Sequence, residues 1–581
     1  PALKLEFPEV ETFVRIFGAG NTLFRANDKE SYEEEFYFTD STYFNVFSHK
    51  LIMGDPEKCL TEPLSIVLTQ SIANKYFGDE DPMGKIMESA SGRQFKITGV
   101  MEDVPSNSHL RFDALISGTT LAAEAGEEEF NSMEPNRFWN IGVYTYLLLN
   151  ENSEMQAIHN KFPDFYNKYM KSLGDQIHAS FELMSTPLVE QHFSDHVSSD
   201  QPKGNRAFIY IFIAVALFIL LIAAINYMNM ATARSAKRAR EVGIRKVSGA
   251  LKSQLIWQFL GESLLLSYIS LIIAAFLVYM LLPEFNLLSG KSLTHEVFLN
   301  PAFVVGIILV ATVIGLISGS YPAFYLSSFN PVTVVKGTVT RTGGSGILRK
   351  ILVVFQFFIA TAMIIGTLIV SQQLRYLKNV DLGFDMDNMI ILELQDTTFR
   401  AKAEMFREEL LQNPDILGVT NSIGVPGSNN WIQVVRMEKD TGWIDESSII
   451  TIVDYNYFDV YDIDFKTGRG FDKKMGTDEE EAVVVNEALV KAYGWEDDPL
   501  GKIINWGFSL DGDEGRKMKV IGVIEDYHFK SLHNRVQPQM LFPAEFDKFH
   551  LSVRISGERV RETLSPLMRT LRWNLSVRIS G

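Results

Sequence analysis

The sequence predicts a multi-domain membrane protein: an α-helical transmembrane bundle flanked by two homologous extracytoplasmic domains of α+β or α/β type. Three observations predict it. The long apolar runs crowd between Ala207 and Val370. The loops joining those runs divide sharply by charge. Three sequence blocks in the first part of the chain recur, in the same order, after residue 453.

The chain has 581 residues, too many for a single core. Its average composition looks soluble, with 22% charged residues. That average hides a partition, because the regions outside the central block are ordinary and acidic. The formal net charge of -17 argues against nucleic acid as a partner, since phosphate binding needs clustered Lys and Arg. The acid sits in short runs, Glu33–Glu35, Glu127–Glu129 and Asp478–Glu481, which read as solvated loops. Cys59 is the only cysteine, so no internal disulfide can form and a zinc site built on several thiolates is excluded.

Four apolar segments are long enough to span a bilayer, which takes roughly 20 residues. They are Ala207–Met228, about Leu260–Leu282, about Phe303–Phe324, and Ile351–Val370. The loop after the first carries Arg234, Lys237, Arg238, Arg240, Arg245, Lys246 and Lys252 against one acid, Glu241. The loop after the third carries Lys336, Arg341, Arg349 and Lys350 and no acid. The loop between the second and third has Lys291 opposed by Glu284 and Glu296. Basic loops stay in the cytoplasm. Residues 1–206 and 371–581 then lie outside, with residues 207–370 as the membrane region. An outer first domain leads us to expect an apolar segment upstream of Pro1.

The repeat is read by self-comparison. Asp81-Pro82-Met83-Gly84-Lys85 matches Asp498-Pro499-Leu500-Gly501-Lys502. Gly99-Val100-Met101-Glu102-Asp103 matches Gly522-Val523-Ile524-Glu525-Asp526. The block from Asp40 to Val46 matches Asp454 to Val460, and Gly54 matches Gly468 at the same offset. Each copy reads as a β-α-turn-β unit: a β-branched run, a short amphipathic helix, an Asp-Pro turn and an alternating strand.

Candidate chemistry is sparse. The Glu-Asp pairs at 102–103 and 525–526 sit at strand ends, where turn chemistry explains them better than acid/base catalysis. His192 and His196 have helical metal-ligand spacing but lack a third ligand and read as surface histidines. Trp495 and Trp506 read as core. No catalytic residue, metal or cofactor is expected. No Gly-x-x-x-x-Gly-Lys-[Ser/Thr] phosphate loop appears in the sequence, so ATP binding would need another subunit.

The segment Ala231–Leu255 is basic and amphipathic, with Ile244, Val247, Leu251 and Leu255 at helical spacing. It reads equally as a membrane-surface helix or as a docking helix. Its residues go further. Arg240-Glu241-Val242-Gly243-Ile244-Arg245-Lys246 with Gly249-Ala250, then Gln258-Phe259 and Glu262, resembles the signature of FtsX-like permeases of the MacB type. The outer blocks resemble the MacB-like periplasmic core domain.

That resemblance implies the permease subunit of an ABC transporter in the bacterial inner membrane. It implies a cytoplasmic ABC ATPase as partner, with Arg240, Glu241, Gly243, Arg245, Lys246, Gly249 and Glu262 as coupling residues. It also implies a second permease copy or related permease, and it leaves room for a periplasmic adaptor. Cargo would be a hydrophobic drug, peptide or lipoprotein, moved by mechanotransmission to the outer domains. A duplicated family member has eight spans, so this chain would be its central piece. A membrane-anchored sensor or scaffold is the alternative. A secondary transporter predicts charge at mid-membrane depth, which these spans lack. The heptad LSVRISG, at Leu551–Gly557 and again at Leu575–Gly581, is not part of the family pattern.

Overall fold

The structure is a computed structural model. It describes residues 1–557 apart from 106, 140–141, 178, 195–202, 234, 292, 329–344, 395–402, 428–430, 440–441, 508–514, 531, 533 and 544–548. His196 and the second LSVRISG therefore lie outside the described residues. Two compact units form: Pro1–Pro202 with Asp381–Gly581, and Lys203–Val380.

The first outer domain is built on ten strands. They are β1 (Val10–Gly18), β2 (Thr22–Ala26), β3 (Lys29–Glu33), β4 (Phe36–Thr39), β5 (Leu51–Met53), β6 (Ser65–Thr69), β7 (Ile86–Ser89), β8 (Gln94–Met101), β9 (Ala114–Ser117) and β10 (Val143–Leu149). Their order is β10-β1-β4-β9-β6-β8-β7-β2-β3, with β5 on β8. The second domain has β11 (Met389–Glu393), β12 (Ile416–Ser422), β13 (Trp431–Lys439), β14 (Gly442–Ile452), β15 (Phe465–Gly468), β16 (Ala482–Asn486), β17 (Ile503–Trp506), β18 (Arg516–Ile524), β19 (Gln539–Phe542) and β20 (His550–Ile555). They form sheets of order β15-β18-β16-β19-β14-β13-β17 and β11-β20-β12.

The pairings repeat. β6 runs parallel to β8 as β16 does to β18, each with one irregularity in register. β6–β9 and β16–β19 are antiparallel, while β4–β9 and β14–β19 are parallel. β5 and β15 pair antiparallel with β8 and β18. The duplicated sequence blocks therefore make duplicated local structure, and the matched residues show why they recur.

Gly84 and Gly501 both sit at positive φ, 75° and 89°. Their N–H groups donate to Ile97 O and Val520 O, each at 2.8 Å, which closes the Asp-Pro turn onto the neighbouring strand. Gly54 and Gly468 also have positive φ. A Cβ on them would lie 2.6 Å from Thr98 O and 2.3 Å from Ile521 O. Glycine is required there by both torsion and space.

The Glu-Asp pairs act locally. Asp103 accepts from Ser71 N at 2.8 Å, and Asp526 accepts from Ala488 N at 2.9 Å. Each carboxylate thus holds an orphan N–H in the first turn of its domain's β-α helix, Gln70–Phe77 or Glu487–Tyr493. Trp495 and Trp506 are core residues. Exposed His192 packs edge-on against Phe193.

Two acidic runs each hide a buried carboxylate. Glu33 bonds Lys75 Nζ and Tyr76 Oη, both at 2.6 Å. Asp478 bonds both terminal nitrogens of Arg469, at 2.6 and 2.8 Å. Burial opposes ionisation of Asp478, yet the Arg469 fork and the Asp472 N–H hold its carboxyl below the usual range.

Asp113 behaves oppositely. Burial first, then Glu35 and Glu33, push it up to about 6, with Lys75 pulling back and Asp103 adding to the rise. A raised carboxyl pKa means the folded state binds more protons than the unfolded chain between about pH 4 and 6. This group's destabilising effect therefore grows as pH rises from about 4 to about 6, is full above that, and is absent below the unfolded pKa. Asp113→Asn is expected to raise the melting temperature of the first outer domain at pH 7.5 and to leave it unchanged at pH 3.5. Paired calorimetric scans at the two pH values check this, and equal shifts at both would contradict it.

The second unit holds four helices long and apolar enough to cross a membrane: Arg206–Ala233, Lys252–Ser289, Pro301–Ser327 and Lys350–Asn379. The second helix is much longer than its apolar part. At 1.5 Å per residue it reaches about 57 Å, beyond the roughly 30 Å hydrocarbon core. Its extra turns carry Gln254, Gln258 and Glu262, which continue the helix past the apolar boundary. The second and third spans pack closely: a Cβ on Gly319 would lie 2.7 Å from Ser263 Cβ. Ser267 Oγ donates to Ala311 O at 2.7 Å, and Tyr268 Oη meets Thr312 Oγ1 at 2.8 Å. Small residues and interhelical hydroxyl bonds are the usual means of joining helices in lipid.

Candidate coupling site

The basic segment after the first span folds as a helix, Ser235–Val247. Gly249 ends it with φ of +97°, and the second span starts at Lys252. Gln254 accepts from the Leu251 N–H at 3.0 Å, which steadies that start.

The helix is fixed on one side. Val242 is buried among Leu255, Phe259, Ala323 and Leu326 from the second and third spans. Arg238 Nη1 meets Glu262 Oε2 at 2.7 Å, and Gln258 donates to Glu262 Oε1 at 3.3 Å. Arg245 bridges its own helix to the second span, contacting Glu241 at 2.7 Å and Gln258 Oε1 at 2.5 Å. Lys246 Nζ donates to Ser327 O at 2.6 Å. That carbonyl is the last residue of the third span, where a cation suits the helix C-terminus. Burial, then Lys252, pull the Lys246 amine below its usual range.

The other side is bare. Ile244, Val247 and Leu251 are 57%, 69% and 63% exposed, and Trp257 is 70% exposed. The even apolar stripe read from spacing is therefore split: Leu255 turns inward with Val242, and Ile244, Val247 and Leu251 turn outward. The turn at Gly249 starts a new helix in which Leu255 faces the junction, while Leu251 is that helix's N-cap and stays outward.

Of the seven coupling residues expected from the sequence, Glu241, Arg245 and Glu262 are linked through Gln258, Lys246 is tied separately to the end of the third span, and Gly243 is buried. Gly249 makes the turn. Arg240 lies in the helix backbone, and its side chain is outside the described residues. Glu262 faces Arg238 of the same chain. Val242, Arg238 and Gln258 carry much of the junction, and the sequence reading passed over Val242 and Gln258 as contact residues. Their signal was a β-branched residue inside a basic helix and a Gln four residues before Glu262. Among the described residues no group of three or more His, Cys, Asp or Glu is placed to hold a metal ion.

Four spans, a basic helix docked on two of them, and duplicated α/β domains define a polytopic membrane protein of transporter-permease type. Comparison with known families is direct. Residues 213–331 match the FtsX-like permease C-terminal model, and residues 1–164 and 351–574 match the MacB-like periplasmic core domain. The chain belongs to the FtsX-like permease family with MacB-like periplasmic core domains, an inner-membrane class with periplasmic domains.

It is similar to the macrolide export ATP-binding/permease protein MacB of Neisseria gonorrhoeae, at 23% identity over 51% of this chain and 42% of that protein. MacB of Bdellovibrio bacteriovorus is 20% identical over 47% and 39%. The chain thus spans about two-fifths of the length of these relatives. Among solved structures, the periplasmic region of MacB from Actinobacillus actinomycetemcomitans is 18% identical, covering 34% of this chain and 90% of that chain, with a TM-score of 0.25. The extracellular domain of the noncanonic ABC-type transporter YknZ from Gram-positive bacteria is 15% identical over 33% and 100%, with a TM-score of 0.24.

Proposed function

We propose that the helix Ser235–Val247 receives the stroke of a separate cytoplasmic ABC ATPase and passes it into the second and third spans. One observation carries this reading: a helix fastened on its inner side by Val242, Arg238, Arg245 and Lys246 leaves Ile244, Val247 and Leu251 outward. An apolar patch rimmed by cations suits a protein groove, and exposed patches of this kind mark contact sites. The spans then act as a lever on the periplasmic domains, which handle the cargo. The macrolide export named for the MacB relatives makes a hydrophobic drug the first cargo class to test, with a peptide or lipoprotein, which the family resemblance implies, as the alternatives.

Purification of the protein from native membranes tests the docking. A P-loop ATPase is expected to come with it. The double variant Ile244→Asp, Val247→Asp is expected to lose at least about 90% of that ATPase, because a charge in a buried apolar contact costs several kcal/mol. Recovery of equal ATPase by both proteins would defeat the assignment of the patch. A wild-type protein with no ATPase would defeat the permease reading.

A further inference from the structure

The two outer domains fill one matched place differently. In the second domain Trp506, at the end of β17, stacks on Phe542 of β19, with ring centroids 4.8 Å apart and planes at 15°. Its Nε1 donates to Gln433 Oε1 at 2.7 Å, and the residue is buried.

The repeat identifies the counterparts in the first domain. Lys85 and Lys502 end the matched turns, and Ile86 pairs with Lys96 as Ile503 pairs with Lys519. Ser89 therefore stands where Trp506 does. Phe38 and Ile452 lie two residues before the matched Asp40 and Asp454, and they pair with Ile116 and Phe542. Ile116 thus stands where Phe542 does. The hairpin ion pairs Arg25–Glu30 and Arg436–Asp445 also match, so Thr22, three residues before Arg25, stands where Gln433 does.

The first domain thus lacks the indole, its stacking ring and the amide that bonds it. Phe24 and Phe95, in the places of Val435 and Met518, take up part of the room. A cleft of about 600 Å³ remains, with Thr22, Phe24, Ser89, Phe95 and Ile116 in its lining. Leu394 and Phe549 of the second outer domain, in the same compact unit, border it. The group that fills the place in the second domain is a side chain inside the repeat, so the space arises from substitutions between the two copies. Asn21 lines the cleft as well. Its Nδ2 donates to Glu34 Oε1 at 3.0 Å, while its buried Oδ1 has no hydrogen-bond partner among the described residues. Leaving such an acceptor unpaired costs about 1–3 kcal/mol, which a ligand N–H would recover.

We infer that this cleft binds a flat bicyclic aromatic ring carrying an N–H, the indole class, with Asn21 Oδ1 as the acceptor. The second domain carries the same chemistry within its own chain: an indole on an aromatic ring, its N–H on an amide oxygen. An apolar aromatic lining with a single directed polar group is the usual make-up of a small-molecule site. The inference deepens the reading of the outer domains as the part that handles cargo. It needs no ATPase, so its failure leaves the docking of Ser235–Val247 untouched.

Titration calorimetry on the detergent-solubilised protein, with empty micelles as blank, tests it. Indole and the tripeptide Gly-Trp-Gly are the probes, and saturable uptake of one ring per chain is expected. Tighter uptake of the tripeptide would assign the site to peptide side chains, and tighter uptake of indole to a free heterocycle; either upholds the inference. Benzothiophene, of like shape but without an N–H, is expected to bind about fivefold more weakly than indole. Asn21→Leu is expected to erase that preference while benzothiophene still binds. Ser89→Trp, which installs the second domain's own ring, is expected to weaken indole at least about tenfold. No saturable uptake by the native protein would overturn the inference, whatever the variants do. Equal binding of indole by the native and a folded Ser89→Trp protein would overturn it too, as would an indole preference that survives Asn21→Leu.

Discussion

Gly522→Ala lowers the melting temperature of the second outer domain by on the order of 10 °C, while Gly99→Ala at the matching place in the first domain shifts it by about a third as much. Gly522 lies in β18 opposite Gly468 of β15. A Cβ on it would stand 2.3 Å from Arg469 O, a backbone atom that can move only if the strand moves. On Gly99 the nearest atoms are Leu51 Cδ2 at 3.2 Å and Met53 O and Val67 Cγ2 at 3.3 Å, so small side-chain shifts relieve most of the contact. Overpacking of the first kind costs about 3 kcal/mol and of the second about 1 kcal/mol. For domains of this size one kcal/mol moves the midpoint by about 2–4 °C. Thermal scans of the two variants decide it, and equal shifts would mean that the two sites are equally tight, against the contacts described.

Glu262→Arg is the second large effect. The pair with Arg238 is worth only about 0.2–1 kcal/mol, since both side chains are more than a third exposed. Reversal does more than remove it. It places a cation against Arg238, with Gln258 already committed to Arg245. A combined loss of about 1–2 kcal/mol speeds local opening about five- to thirtyfold. Amide exchange over Ser235–Val247 is expected to accelerate by that factor. Adding Arg238→Glu restores the opposite charges and is expected to return exchange to within about threefold of the native protein. Failure of the second change to rescue would mean that Glu262 does not hold the helix through Arg238.

The spans and the repeat were legible in the sequence because each rests on a local demand. Crossing lipid takes about 20 apolar residues wherever the segment packs. A tight turn at Gly84 or Gly501, and close backbone approach at Gly54 or Gly468, admit glycine alone, so these residues stand out in self-comparison. The helix-capping aspartates, Asp103 and Asp526, recur for the same reason.

What was not legible depends on distant partners. Glu33 and Asp478 look like members of solvated acidic runs, and only the fold brings Lys75 and Arg469 to them. The apolar stripe of the basic segment was read as one face because helical spacing continues through Gly249. The positive φ there breaks the helix, and Leu255 joins the junction with Val242 while Leu251 does not.

The account rests on the outward face of Ser235–Val247 meeting an ATPase rather than lipid. A photo-crosslinking amino acid at position 244, irradiated in intact cells and followed by mass spectrometry, tests this most directly. The predicted product is a covalent adduct with a P-loop ATPase, absent when the crosslinker stands at exposed Lys96 in the first outer domain. Adducts with phospholipid alone at position 244 would contradict the account and make the helix a membrane-surface anchor.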